Sequence, residues 1–168
     1  TSDASHTVGG VFRIDIDKRP LLWLQFARVH LDRHPKARFV LVGAGPLTGA
    51  ARALAAELGI ASRLFFAGRT TNVGFWLAKM DAGVAPYPEL PSFYFSPLKI
   101  WEYAGAGVPI LASVTGDLPQ RFPHREAALL HPPGSAGKLA AHVEALREDA
   151  LIAYPTDSCY ALGCHIGD

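Results

Sequence analysis

Short apolar runs of strand length alternate along the chain with segments whose apolar residues recur at helical spacing. That is the pattern of a parallel sheet covered by helices on both faces. Residues 7–13 (TVGGVFR) read as a first strand and its turn. The next segment has Pro20 in its first turn and Leu22, Phe26 and Val29 at i, i+4 and i+7, which predicts a helix ending near His34 and Pro35. Residues 38–42 (RFVLV) have the continuous apolar character of a buried parallel strand, and GAGP turns them into an Ala-rich helix closing at Gly59. The alternation continues with a third strand at 63–67 (RLFFA), a short helix at 73–80, and a fourth strand at 82–85 running into the loop of Pro86, Pro88 and Pro91. Ser96 and Pro97 open the next helix, 108–112 (VPILA) is a fifth strand and 127–130 a sixth. A helix follows over 134–147 with Leu139, Val143 and Leu146 on one face, and 151–154 (LIAY) reads as one more strand. No period of 20–50 residues repeats, which excludes a solenoid. The expectation is a single-domain α/β chain, a Rossmann-like doubly wound parallel sheet with its ligands at the carboxyl ends of the strands.

Length and composition narrow the function classes. The 168 residues allow one compact unit of roughly 150 residues with a short appendage, and exclude a two-domain enzyme that carries its own inter-domain cleft. With 49% hydrophobic and 18% charged residues, the chain is too apolar for disorder. A formal charge of +1 provides no global field for nucleic acid or an anionic membrane, so neither is an expected partner and any charge recognition is local. No apolar run approaches the roughly 18 residues of a membrane-spanning helix, and TSDASHT lacks the features of a signal peptide. Two cysteines, Cys159 and Cys164, do not make a disulfide framework, so a reduced, cytoplasmic setting is expected. The chain opens on Thr1 rather than Met, as a piece of a longer protein would.

Three segments can carry chemistry. In VFRIDIDKRP, Arg13 and Lys18 bracket a four-residue turn at the carboxyl end of the first strand. Two cations there can neutralise a diphosphate, or both can be ordinary solvated charges. In VGAGP, Gly43 and Gly45 permit close approach of backbone to a ligand at the start of a helix. The third glycine of a dinucleotide fingerprint is missing, since Thr48 stands in its place, so a nicotinamide cofactor is disfavoured. In SPLKIWEY, Ser96 is a good N-cap and Pro97 suits the first helical position, which leaves the N–H groups near Leu98 and Lys99 ready for an anion. Glu102 lies six residues on, about 9 Å along the axis, comparable to the span from a nucleotide's phosphates to its ribose hydroxyls. A capped helix with Trp101 and Tyr103 in the core and Glu102 in solvent fits the same letters.

Other constellations are weaker. Among the seven histidines, His30 and His34 are i, i+4 at a helix end beside Arg, a place more often exposed than metal-binding, and no HExxH occurs, so no metal is expected. Trp23, Trp76 and Trp101 fall on three different helices and read as core rather than as a base-stacking platform. No nucleophile elbow supports a Ser-His-Asp triad. No catalytic residue is assigned.

VFRIDIDKRP, FVLVGAGP, LFFAGRT and SPLKIWEYAGAGVPILAS together, in this order and spacing, resemble the donor-binding half of retaining GT-B glycosyltransferases over about residues 7–147. The resemblance implies a Rossmann-like domain that binds a nucleotide diphosphate sugar (a UDP-, GDP- or ADP-sugar) with no cofactor, the acceptor site belonging to a separate domain. It implies that Arg13 and Lys18 hold the diphosphate, that the helix start at Ser96, Pro97 and Leu98 meets the phosphate, and that Glu102 grips the ribose. Two positions depart from the family. Tyr94 stands where the E-x7-E signature has its first Glu, with Glu89 five residues too early, so the resemblance reaches the nucleotide and not the sugar. Arg19 stands where the family usually has Gly, which crowds the phosphate turn.

After Ala150 the wording changes. LIAYPTDSCYALGCHIGD is similar to the PTD-x-x-Y-x-LG-C strand and turn of the threonylcarbamoyl-adenylate synthase family, of which only about eighteen residues are present. The chain is thus expected to divide into a nucleotide-sugar-binding domain over 1–149 and a foreign, truncated tail over 150–168 that is no independent domain. The expected function is donor binding without catalysis by this chain alone, because the acceptor half is absent. The alternative is a non-catalytic interaction protein, inhibitor- or antitoxin-like, that uses the scaffold to bind a protein partner.

Overall fold

A computed structural model describes residues 5–87, 98–113, 118–122, 129–131, 152–155 and 160–163. Six parallel strands, β1 (Thr7–Val11), β2 (Arg38–Val42), β3 (Leu64–Gly68), β4 (Ala82–Ala85), β5 (Ile110–Ser113) and β6 (Leu129–His131), form one sheet in the order β3-β2-β1-β4-β5-β6. The order reverses between β1 and β4, where doubly wound sheets open a crevice at their carboxyl edge. The described helices are α1 (Pro20–Arg33), α2 (Thr48–Glu57), α3 (Val73–Leu77), α4 (Leu98–Gly105) and α5 (Leu118–Arg121).

The strands β1, β2, β4 and β5 are buried on both faces, as their continuous apolar character requires. Along β2, Phe39 and Leu41 point into a core with Trp23, Leu24 and Phe26 of α1, while Val40 and Val42 point into a second core with Ile100 and Tyr103 of α4. Pairing of Val11 with Val42 keeps the ends of β1 and β2 level, so the loops that follow them run side by side. Backbone bonds from Phe12 N–H to Val42 O (3.0 Å), Ile14 N–H to Ala44 O (3.3 Å) and Leu47 N–H to Ile14 O (3.0 Å) tie the two loops together.

The sheet matches the expected fold class, with shifts of one to three residues at the ends of β1, β3, α3, β5 and β6. One expectation is corrected, and the reading of the tryptophans as core residues is refined. His30 and His34 are buried rather than exposed: with His6 they pack at the amino-terminal end of the sheet, His6 Nε2 lying 2.7 Å from His30 Nε2. The α1 face that carries His30 also carries Phe26, and the strand leading from His6 closes over it. Of the tryptophans, only Trp23 is fully buried; Trp76 and Trp101 are half-buried at the edge of the second core, stacked on Phe65 and Phe122. The strand expected at 151–154 forms as β7 (Ile152–Pro155), antiparallel to β8 (Tyr160–Gly163) in a two-stranded sheet separate from the main one. The helix expected over 134–147, together with Cys159 and Cys164, lies outside the described residues.

Candidate functional site

A cleft of about 750 Å³ opens at the carboxyl ends of β1 and β2, beside the start of α4. Its walls include Arg13 and Lys18 from the loop after β1, Gly43 and Gly45 from the loop after β2, and Leu98, Lys99 and Glu102 from α4. Seven of the nine residues singled out in the sequence therefore meet around one opening. The other two, Ser96 and Pro97, lie outside the described residues, as do Glu89 and Tyr94. The lining residues that sequence reasoning did not single out include Arg69 and Thr70 after β3 and Tyr87 after β4. Their position just past strand ends was the available signal, since that is where a doubly wound sheet puts its ligand contacts.

The loop after β1 is shaped by its acidic residues. Asp15 caps the 3-10 turn Ile16–Lys18, its carboxylate accepting from Ile16 N–H at 2.8 Å and pairing with Arg13 Nε at 3.1 Å. Asp17 pairs with Lys18 Nζ at 3.0 Å. Burial works against ionisation of Asp17, but the hydrogen bond and charge of Lys18 outweigh it and hold the carboxyl below its usual value. The Arg13 side chain is 67% exposed, and Asp17 is about half exposed, so these pairs are weak and an incoming anion can compete for both cations. The turn closes on Arg19 in the left-handed conformation (φ 52°, ψ 46°), the one non-glycine residue with positive φ among those described.

Gly43 and Gly45 serve the loop packing. A Cβ on Gly43 would collide with the Phe12 carbonyl oxygen, and one on Gly45 with that of Ile14. Their amides are also engaged within the protein: Gly43 N–H donates to Gly68 O at 2.8 Å and Gly45 N–H to Thr48 Oγ1 at 3.0 Å. Both glycines nonetheless line the cleft, where the sequence places close approach of backbone to a ligand. They line the cleft because they let the β1 and β2 loops touch.

The floor is the most polar buried feature of the site. Lys99 is 7% exposed, and its Nζ lies 4.6 Å from the ring centroid of Phe12 and 4.5 Å from that of Tyr87. It has no hydrogen-bond partner among the described residues. Burial, with the Lys18 charge adding to it, pulls the Lys99 amine down to about 7, against weaker opposing pulls from Asp17 and Glu102. Tyr87 is itself buried, its N–H bonded to Ser113 Oγ at 2.9 Å, and burial followed by the Tyr103 charge pushes its phenol well up. Glu102 is exposed at the mouth, three residues along α4 from Lys99.

Residues 7–149 match the family described as Glycosyl transferases group 1. The chain belongs to that family. It is 40% identical over 124 residues to the Vi polysaccharide biosynthesis protein VipC/TviE of Salmonella typhi, a match covering 73% of this chain and 20% of that protein. The chain thus spans about a fifth of the length of that curated relative. Its fold is that of solved glycosyltransferase structures. Alr3699/HepE of Anabaena, crystallised with UDP and glucose, superposes with a TM-score of 0.75 at 20% identity over 86% of this chain and 39% of its own. The C-terminal domain of the group 1 glycosyl transferase LpcC of Francisella tularensis superposes with a TM-score of 0.70 at 20% identity over 85% and 76% of the two chains. Among the described residues no helix is long and apolar enough to cross a membrane.

Proposed function

We propose that this glycosyl transferase domain binds the nucleotide diphosphate of a sugar donor in the cleft above β1 and β2, in a retaining enzyme whose acceptor site lies on another part of the protein. The observation that carries the reading is the convergence of Arg13, Lys18, Lys99 and Glu102 on one opening at the strand-order reversal. A diphosphate seated between Arg13 and Lys18 exchanges their contacts with Asp15 and Asp17 for shorter-range contacts with a doubly charged ligand. Glu102, at the mouth, is placed to accept both hydroxyl protons of a ribose.

The chemistry such a site supports is departure of the diphosphate from the sugar. Negative charge grows on the leaving oxygens as the glycosidic bond lengthens, and fixed cations stabilise that charge more than the charge already present in the ground state. Arg13, Lys18 and Lys99 supply cations on two sides of the cleft. Transfer also requires a wall that positions the acceptor and excludes water, and this chain alone is proposed to bind donor without transferring it. The tail over 150–168 lies beyond the family match and is proposed to stand outside the donor site.

Calorimetric titration with UDP, GDP, ADP and their sugars tests the reading. At least one nucleotide is expected to bind, and Arg13→Ala or Lys18→Ala is expected to weaken it by about three- to tenfold, the range for losing one partly exposed charge-assisted contact. Folded protein that binds none of the six at millimolar concentration overturns it.

A further inference from the structure

We infer that Lys99 couples nucleotide binding to proton uptake: a diphosphate in the cleft draws a proton from solvent onto the buried Lys99 amine, and its departure releases that proton. The inference rests on the donor-binding reading and adds a property to the same site. It stands first on geometry. The Lys99 side chain is enclosed, its Nζ sits between the faces of Phe12 and Tyr87, and no oxygen among the described residues accepts a bond from it. Aromatic faces favour the ammonium but replace only part of the hydration it loses. Such a group is poised between its two protonation states, and the balance is set by whatever charge arrives beside it.

The charged and titratable groups around it explain the direction. Lys18 and Asp17 face it from the loop after β1, Glu102 from its own helix, and the Tyr87 phenol from beyond β4, while Arg13 and Arg69 line the same cleft. Lys18 disfavours the ammonium, and Asp17 and Glu102 favour it more weakly, so in the empty cleft burial and the neighbouring cation prevail and the amine titrates at about 7. A diphosphate reverses the sign of the nearby charge. It occupies Lys18 and brings two or more negative charges to the floor of the cleft, which favours the ammonium on both counts. The sign of the linkage follows. Binding raises the proton affinity of Lys99, so nucleotide affinity is greatest below neutrality and falls as pH rises above it, by at most tenfold per pH unit.

Calorimetry with UDP-glucose at pH 8 tests this, because the two phosphates of that ligand carry no proton that titrates in the range. Enthalpies measured in buffers of different ionisation heat are expected to report uptake of roughly half a proton or more per ligand bound. Lys99→Arg stays charged throughout and is expected to abolish both the uptake and the loss of affinity between pH 7 and 9. Lys99→Met, close in length and apolar, is expected to bind more weakly and also without uptake. A ligand-free measurement stands beside these: in the carbon-13 spectrum of labelled lysine, one ε-methylene is expected to titrate near neutrality and to move to higher pH with UDP-glucose present. Binding with no buffer dependence, or uptake that persists in Lys99→Arg, overturns the inference and leaves the donor-binding reading standing. Failure of UDP-glucose, UDP and the other nucleotides to bind overturns both.

Discussion

Lys99 holds an ionisable amine where a hydrocarbon would be more stable, and that has a measurable signature without any ligand. Its proton affinity is depressed in the folded state, chiefly by burial and then by Lys18. Between about 7 and the ordinary lysine value of 10.5 the unfolded chain therefore holds a proton that the folded chain lacks, and stability rises with pH across that window. Below it both states are protonated and the penalty is complete. Lys99→Met removes the penalty, so in urea titrations it is expected to be the more stable protein at pH 6, by on the order of a few kcal/mol, with the gap closing towards pH 10. A buried lysine that weakens the fold and faces the cleft is the kind of residue retained for chemistry. Arg19 presents a second local conflict. Its left-handed backbone suits glycine, and a side chain there costs about 1 kcal/mol. Arg19→Gly is expected to raise the unfolding free energy by about that amount, read from the urea midpoint, while leaving the turn Ile16–Lys18 in place.

At the scale of elements, the cleft exists because β1 and β4 part company before their carboxyl ends. Their pairing runs only through Val8 with Ala82 and Gly9 with Gly83, while β1 continues to Val11. Beyond the last pair the buried Val11 N–H has no strand to donate to on that side, and the Tyr103 hydroxyl of α4 accepts from it at 2.8 Å. One hydrogen bond thus fixes α4, and with it Lys99 and Glu102, against the end of β1. Tyr103→Phe leaves that amide buried and unsatisfied and is expected to cost about 1–3 kcal/mol in denaturant unfolding, with weaker nucleotide binding as α4 loosens. Little of this was legible beforehand. The strands and α1 were, because runs such as RFVLV and the spacing of Leu22, Phe26 and Val29 are dictated by burial of the element itself. The convergence of Arg13, Lys18, Lys99 and Glu102 was legible as far as strand-end positions and family resemblance could carry it. What remained hidden depended on partners distant in sequence. The burial of His30 and His34 depends on His6 just before β1, the place of Lys99 on Phe12 and Tyr87, and the need for Gly43 and Gly45 on carbonyls of another loop.

For the whole molecule, the described residues that line the cleft all fall between Val11 and Glu102, and the family match ends at residue 149. The hairpin of β7 and β8 shares no hydrogen-bonded strand with the six-stranded sheet, although β7 runs beside α4. Two arrangements make opposite forecasts for a chain ended after Ala150. If the sheet and its helices are the cooperative unit, removing the hairpin leaves both cores intact, since their described members all precede residue 123. The urea midpoint then changes by no more than a surface substitution would change it, about 0.5 kcal/mol in free energy, and nucleotide affinity stays within about twofold. If instead β7 braces α4, the shortened chain unfolds earlier, and because α4 carries Lys99 and Glu102, affinity falls with stability. The first outcome is expected, because a two-stranded ribbon with no third strand contributes little stability of its own. Measuring midpoint and affinity on the same preparation separates a passive appendage from a brace, since only a brace moves both together.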